Sequence, residues 1–237
     1  MMKVPRCVVC DGALGVSWVV DHFDEAVCRR CSTAEQCFAC QANTGGAGVR
    51  AATTLADGRV RCARCSRGAV DDRTAIGPVV QLVRPFLHSL GLRLPNRVRV
   101  DLLPPDEMAR RTQHGGQGFT TWVVTGIGPP TVAEMAILQG LPPTRFGATL
   151  AHEMAHGWLT GCPDVGRSSR EEEGLCELVA SWWLEHRGGR LATFALDGMH
   201  RSPDPVYGEG FRLAVRATAG MTPEAVVAHV SRTGRLP

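Results

Sequence analysis

Ala151-His152-Glu153-Met154-Ala155-His156-Gly157-Trp158-Leu159 is an apolar stretch broken by one glutamate and two histidines, and its reading decides the second half of the chain. His152 and His156 stand four residues apart, so on a helix both imidazoles leave one face and can grip one metal ion. Glu153 is offset by about 100° and reaches the open side of that ion, where a water can lie. Ala148 and Leu150 continue the uncharged surface expected of a buried helix. Pro142-Pro143-Thr144 supplies a start and Gly161 a stop.

Two histidines leave a catalytic zinc one protein ligand short. The next segment, Ser168-Ser169-Arg170-Glu171-Glu172-Glu173-Gly174-Leu175-Cys176-Glu177, offers acids. Ser168 or Ser169 can cap a helix whose acidic first turn suits the helix dipole, with Leu175, Leu178, Val179 and Trp182 packing inward. A solvated first turn accounts for Glu171 and Glu172. Glu173 and Glu177 are the ligand candidates, because they lie one turn apart on one face: one can bind metal while the other holds a ligand histidine. An oxyanion formed beside the metal also needs a donor. Tyr207, the sole tyrosine, sits in a glycine-flanked stretch that reads as a turn and is the first choice, with His200 second.

Between residues 71 and 150 the pattern is mixed. Val79, Val80, Leu82, Val83, Phe86, Leu87 and Leu90 recur at helical steps up to Gly91. Arg97–Leu102 alternates and predicts a strand, and Gly118–Thr125 predicts another, near a sheet edge, where it can align an extended substrate. Met221-Thr222-Pro223-Glu224 begins a closing helix. Trp182 and Trp183 read as core, and Cys162 and Cys176 as reduced, part-buried thiols.

Eight of the ten cysteines form four Cys-x-x-Cys pairs, Cys7/Cys10, Cys28/Cys31, Cys37/Cys40 and Cys62/Cys65. Two thiolates at this spacing point at one ion, and a tetrahedral shell needs two pairs. Sequential pairing is expected, Cys7, Cys10, Cys28 and Cys31 at one structural zinc and Cys37, Cys40, Cys62 and Cys65 at the other. Only five residues separate Cys31 from Cys37, as where two stacked ribbons meet. Large apolar residues are few here and turn residues crowd in (Gly45-Gly46-Ala47-Gly48, Asp57-Gly58), so metal must supply much of the stability. The spacing looks like a LIM module, although such modules usually carry histidine at the third ligand position. His22 is expected to pack rather than to bind zinc. Asp71-Asp72-Arg73 and Gly77-Pro78 mark the boundary, giving a zinc module over 1–70 and a second domain over 71–237.

The 237-residue chain has no apolar run of membrane-spanning length and no apolar stretch at its start for a signal peptide, so a cytoplasmic protein is expected. Its formal charge of +3 is misleading. Residues 1–70 carry nine basic and six acidic residues, and two zinc ions on eight thiolates turn that surplus into roughly −1. Nucleic-acid binding therefore gains no support from charge. Only Lys3 among the 26 basic residues is lysine, a skew that hints at a GC-rich bacterial genome.

Together, the LIM-like module, His152–Leu159, Glu172–Cys176, Tyr207–Arg212 and the upstream Leu138-Gln139-Gly140-Leu141-Pro142 resemble the LIM-containing metallopeptidases that limit plant organ and seed size. The resemblance implies an α+β chain, a LIM-like double zinc ribbon followed by a zincin-like, gluzincin-type peptidase domain, and the composition suggests a bacterial relative of that family. It also implies Glu173, the glutamate before glycine, as third ligand. The plant members are ubiquitin-activated through helices that precede the zinc module. This sequence opens on the module, so ubiquitin coupling is not expected.

The expected activity is zinc-dependent hydrolysis of protein or peptide substrates with Glu153 as base, using one catalytic and two structural zinc ions. The module would recognise substrate or a protein partner. The alternative is a catalytically idle zinc-binding adaptor that mediates protein–protein interaction.

Overall fold

A computed structural model describes residues 5–45, 52–112, 116–124, 126 and 130–237. Thr125, the expected end of the second strand, and the glycine-rich stretch 46–48 lie outside the described residues. The chain divides into two compact units, residues 1–69 and 70–237. No helix among the described residues is long and apolar enough to cross a membrane.

The first unit repeats one device. Each half opens with a Cys-x-x-Cys loop, in which Cys7 N–H donates to Gly12 and Cys37 N–H to Ala42. The residue after each second cysteine is left-handed, Asp11 at φ 57° and Gln41 at φ 56°, so the chain can turn back over the sulfurs. An antiparallel hairpin follows in each half: β1 (Trp18–Val20) with β2 (Ala26–Cys28), and β3 (Ala52–Thr54) with β4 (Val60–Cys62), the latter running into the short helix α1 (Ala63–Ser66).

The second unit is a three-stranded mixed sheet with helices. Helix α2 (Ile76–Ser89) buries Val79, Val83 and Leu87, and the chain leaves it through Gly91 at φ +88°. The expected strand over 97–102 is shorter and displaced: β5 covers Val100–Leu103, the residues that find partners in Met135–Leu138. Helix α3 (Pro105–Arg111) leads to β6 (Gly118–Val123) and β7 (Thr131–Leu138). The order is β5-β7-β6, with β5 parallel and β6 antiparallel to β7, so β6 is an edge strand among the described residues, as its glycine-bounded sequence suggests. Strand β7 was not legible in advance, because its buried run Met135-Ala136-Ile137 lacks alternation.

Helix α4 (Pro143–Leu159) carries the histidines through the core. Helix α5 (Ser169–Arg187) starts with a full capping box, Ser168 accepting from Glu171 N–H while Glu171 accepts from Ser168 N–H. Helices α6 (Arg190–Arg201), α7 (Tyr207–Ala217) and α8 (Pro223–Thr233) complete the unit. Of the two tryptophans read as core, Trp183 is fully buried and Trp182 half-buried.

Candidate metal centre

Helix α4 presents His152 and His156 one turn apart with their Nε2 atoms 3.2 Å from each other. Helix α5 brings Glu173 Oε2 to 3.1 Å from His152 Nε2 and 3.4 Å from His156 Nε2. Three ligand atoms at about 2.0–2.2 Å from a tetrahedral ion stand roughly 3.3–3.5 Å apart, so this triangle has the dimensions of a zinc shell. Glu177, the other candidate, lies behind the ring, its Oε1 3.1 Å from His152 Nδ1. Glu172 does the same for His156, its Oε1 3.1 Å from Nδ1. Glu172, expected in a solvated first turn, makes this contact because of how α5 is turned against α4. Each Nδ1–H can thus donate to a carboxylate, which aims each Nε2 lone pair at the common centre. Cys176, expected to be part-buried, is fully buried, and its sulfur forms a group with the two histidines in which all ligand atoms lie within 4.8 Å.

The electrostatics ask for a cation here. Burial should raise the Glu173 carboxyl, but hydrogen bonds to His152 and His156 overcome it and hold the group down to about 2. Burial should lower both imidazoles. Instead both are raised well above the ordinary value, His152 by Glu173, Glu177 and Cys176, and His156 by Cys176, Glu172 and Glu173. A bound dication would supply the positive charge that these acids favour. The donor set and the spacing therefore fit zinc.

Glu153 is 4% exposed, and burial raises its carboxyl despite the neighbouring histidines. Its Oε2 accepts a 2.8 Å hydrogen bond from the Thr120 hydroxyl of β6. Gly118 on the same strand lets the glutamate approach, because a Cβ there would lie 2.7 Å from Glu153 Oε1 and 2.8 Å from Thr149 Cγ2 and one of them would have to shift. The edge strand and the glutamate are thus in direct contact. Tyr207 is the first residue of α7 rather than part of a turn. It is 44% exposed, and its ring stacks 6.2 Å from that of His152. Burial and the charge of Glu173 push its hydroxyl up to about 12, so it stays a donor. His200 is exposed, with its ring on Phe211, and lines none of the hollows that border Glu153. A hollow of about 370 Å³ runs between β6 and α5, bordered by Thr120, Trp122, Glu153, His156, Glu173 and Tyr207.

In the first unit the thiols cluster sequentially, Cys7, Cys10, Cys28 and Cys31 together and Cys37, Cys40, Cys62 and Cys65 together. Cys10 and Cys28 sulfurs are 4.0 Å apart, and those of Cys40 and Cys62 3.8 Å. A disulfide needs about 2.0 Å, whereas sulfurs around zinc stand roughly 3.8 Å apart. Cys28 N–H donates to Cys7 Sγ at 3.3 Å. Burial opposes ionisation of Cys7, yet such backbone donors bring its thiol below the ordinary value. Both four-sulfur groups fit zinc. His22 belongs to neither four-sulfur group: its Nε2 lies 2.7 Å from the Cys40 carbonyl oxygen, and its ring packs on Phe23.

A family model described as "DA1-like: Protein DA1" matches residues 121–196, from the end of β6 into α6. The chain is 22% identical to Protein DA1-related 2 of Arabidopsis thaliana, over 78% of this chain and 48% of that protein. It is 23% identical to Protein DA1 of the same plant, over 77% and 46%. To the LIM domain-containing protein HDR3 of Oryza sativa subsp. japonica it is 21% identical, over 78% and 51%. The chain thus spans about half the length of the curated relatives it matches, and no solved structure matches it. The resemblance carried by the motifs is to this DA1 and LIM family.

Proposed function

We propose that this chain, similar to the plant DA1 proteins over three quarters of its length, is a zinc peptidase whose second unit is a zincin-like, gluzincin-type domain. The observation that carries the reading is Glu173 Oε2 set between the Nε2 atoms of His152 and His156, with the Glu153 carboxylate beside them. His152, His156 and Glu173 would hold the ion, and Glu177 and Glu172 orient the two imidazoles. Zinc bound there would supply Lewis acidity to a peptide carbonyl and to water.

Glu153 takes a proton from the attacking water as its oxygen bonds to the carbonyl carbon. It then gives that proton to the nitrogen as the C–N bond breaks, leaving a carboxylic acid and an amine. Thr120 fixes one oxygen of Glu153 throughout. The Tyr207 hydroxyl is the donor for the developing oxyanion. The free edge of β6 pairs with an extended substrate. The first unit is a LIM-like module with two structural zinc ions, and it binds substrate or a protein partner. A cytoplasmic setting suits it, since reduced thiols persist there.

The test is zinc stoichiometry with casein hydrolysis on wild type, His156→Ala and Glu153→Gln. Three zinc ions per chain should fall to two in His156→Ala. Glu153→Gln should keep three and lose proteolysis by about 100-fold or more. Two zinc ions in every protein, with no cleavage, would leave the adaptor reading in its place.

A further inference from the structure

In the second unit, helix α2 faces the approach to β5 across a groove of about 490 Å³. Arg73, in the 3-10 turn ahead of α2, is followed by Gly77, Val80 and Arg84 at steps of three and four, so these residues share one face. The opposite wall is Val98-Arg99-Val100. The lining is apolar, with Ile76 and Val100 buried and Val80 and Val98 half-buried. The rim is basic. Arg73 and Arg99 both reach one acid, Asp101, at 3.2 and 3.1 Å, and each side chain stays 66% exposed. Arg84 pairs with no acid among the described residues. Three guanidinium groups against a single carboxylate leave the groove a surplus of positive charge.

The backbone beside the groove is open as well. Strand β5 is the edge of the sheet opposite β6 among the described residues. The Leu103 carbonyl accepts from Gln139 N–H just beyond β7, so by alternation Val100 and Leu102 turn their N–H and C=O groups to the open side. Charges on an edge strand often serve only to repel other strands. Here two of the three arginines stand on the helical wall, across from the strand, and frame a channel instead of blunting the edge.

We propose that this groove docks an extended acidic segment of a partner protein. The segment pairs with the open edge of β5, lays apolar side chains against Val80 and Val98, and sets carboxylates on Arg73, Arg84 and Arg99. Strand addition supplies backbone hydrogen bonds, and planar guanidinium groups hold carboxylates through paired N–H donors. The groove shares no lining residue with the hollows that border Glu153, so the proposal does not depend on the peptidase reading.

The test is fluorescence anisotropy on the full zinc-loaded chain, with a labelled decapeptide that alternates glutamate with valine as the probe. It should bind saturably, at least about tenfold tighter than the same peptide with lysine for glutamate, and weaken as salt rises. Arg84→Glu should cost about fivefold or more, and so should Arg99→Glu, whose exposed position does not ask α2 to tolerate a change. Arg232→Glu on α8 alters charge equally and should shift affinity by less than about twofold. N-methylation of alternate peptide residues should abolish binding in one set and spare it in the other, as pairing along one edge requires. Absence of saturable binding would overturn the proposal and leave the arginines as edge protection. Equal losses in all three charge variants, or from both N-methyl sets, would also overturn it, since a general field or a guest that is not a strand would explain them. A dimer that Arg99→Glu dissolves, with no peptide uptake by the monomer, would give the groove to a second copy of this chain instead.

Discussion

Each histidine of the centre is held at its rear nitrogen by a carboxylate from α5, Glu177 on His152 and Glu172 on His156. Such contacts fix the ring tautomer, and losing one typically costs about 10–100-fold in metal affinity. Glu172→Ala should therefore weaken the third zinc by that order in competition with a chromophoric chelator, while the two cysteine sites keep theirs. Glu172→Gln should fall between, since an amide oxygen still accepts from Nδ1–H. The same acids set a pH dependence. Burial works against protonating the two imidazoles, but the carboxylates win, so in the metal-free protein both are raised well above 6.5. A raised value in the folded state means that protonation stabilises the metal-free fold below pH 6.5, and this is lost as pH rises through the folded values. Zinc needs both rings unprotonated, so its affinity should keep climbing through the neutral range. The slope is about tenfold per pH unit for each proton displaced. An affinity already flat from pH 6.5 upward would contradict the charge arrangement around these rings. His152, Glu153 and His156 were legible because helical period alone brings them together. Glu172 was not, since its face depends on the rotation of α5 against α4, which no local pattern encodes.

At the level of elements, α5 is fixed by its crossing with α7. Gly174 and Gly210 meet there so closely that a Cβ on Gly174 would run into the Gly210 backbone. Gly174 directly follows Glu173, so the close crossing also sets where that carboxylate stands. Gly174→Ala tests this against helix propensity. Alanine should favour an exposed helix by about 1 kcal/mol. Overpacking against rigid backbone costs about 1–3 kcal/mol or more, and the loss should win. The variant should melt lower and lose zinc from the histidine centre; an unchanged melt would mean that the helices separate freely. The long helices were readable from caps and periodicity: Ser168 before α5, Thr222 before α8 and Gly91 after α2 all do what their chemistry suggests. The sheet was harder. Strand β5 is trimmed to the residues that β7 can pair, and β7, paired on both sides, carries a nearly continuous apolar run that resembles a buried helix.

Across the whole chain, the two units are built on different sources of stability. The second buries Trp183, Phe146, Phe211, Leu150 and Met154 completely in a large apolar core. The first has Phe23 as its single large, fully buried side chain among the described residues, with a small cluster around Val9, Leu14 and Val27. The four repeated cysteine pairs made its two four-sulfur groups legible from spacing alone. The left-handed turns after Cys10 and Cys40 were not legible, because aspartate and glutamine do not announce them as glycine would. A structural zinc contributes about 10–16 kcal/mol of apparent binding energy, comparable to or above the whole stability of a small domain. Removing metal with a strong chelator should therefore separate the units. Amide-exchange protection should vanish over β1–β4, including the pairs Val19–Val27 and Thr53–Arg61, while α4 and α5 stay protected. Added zinc should restore the lost protection. Protection that survives in the hairpins after complete zinc removal would mean that their few apolar contacts suffice, and the cysteine clusters would then serve something other than the fold.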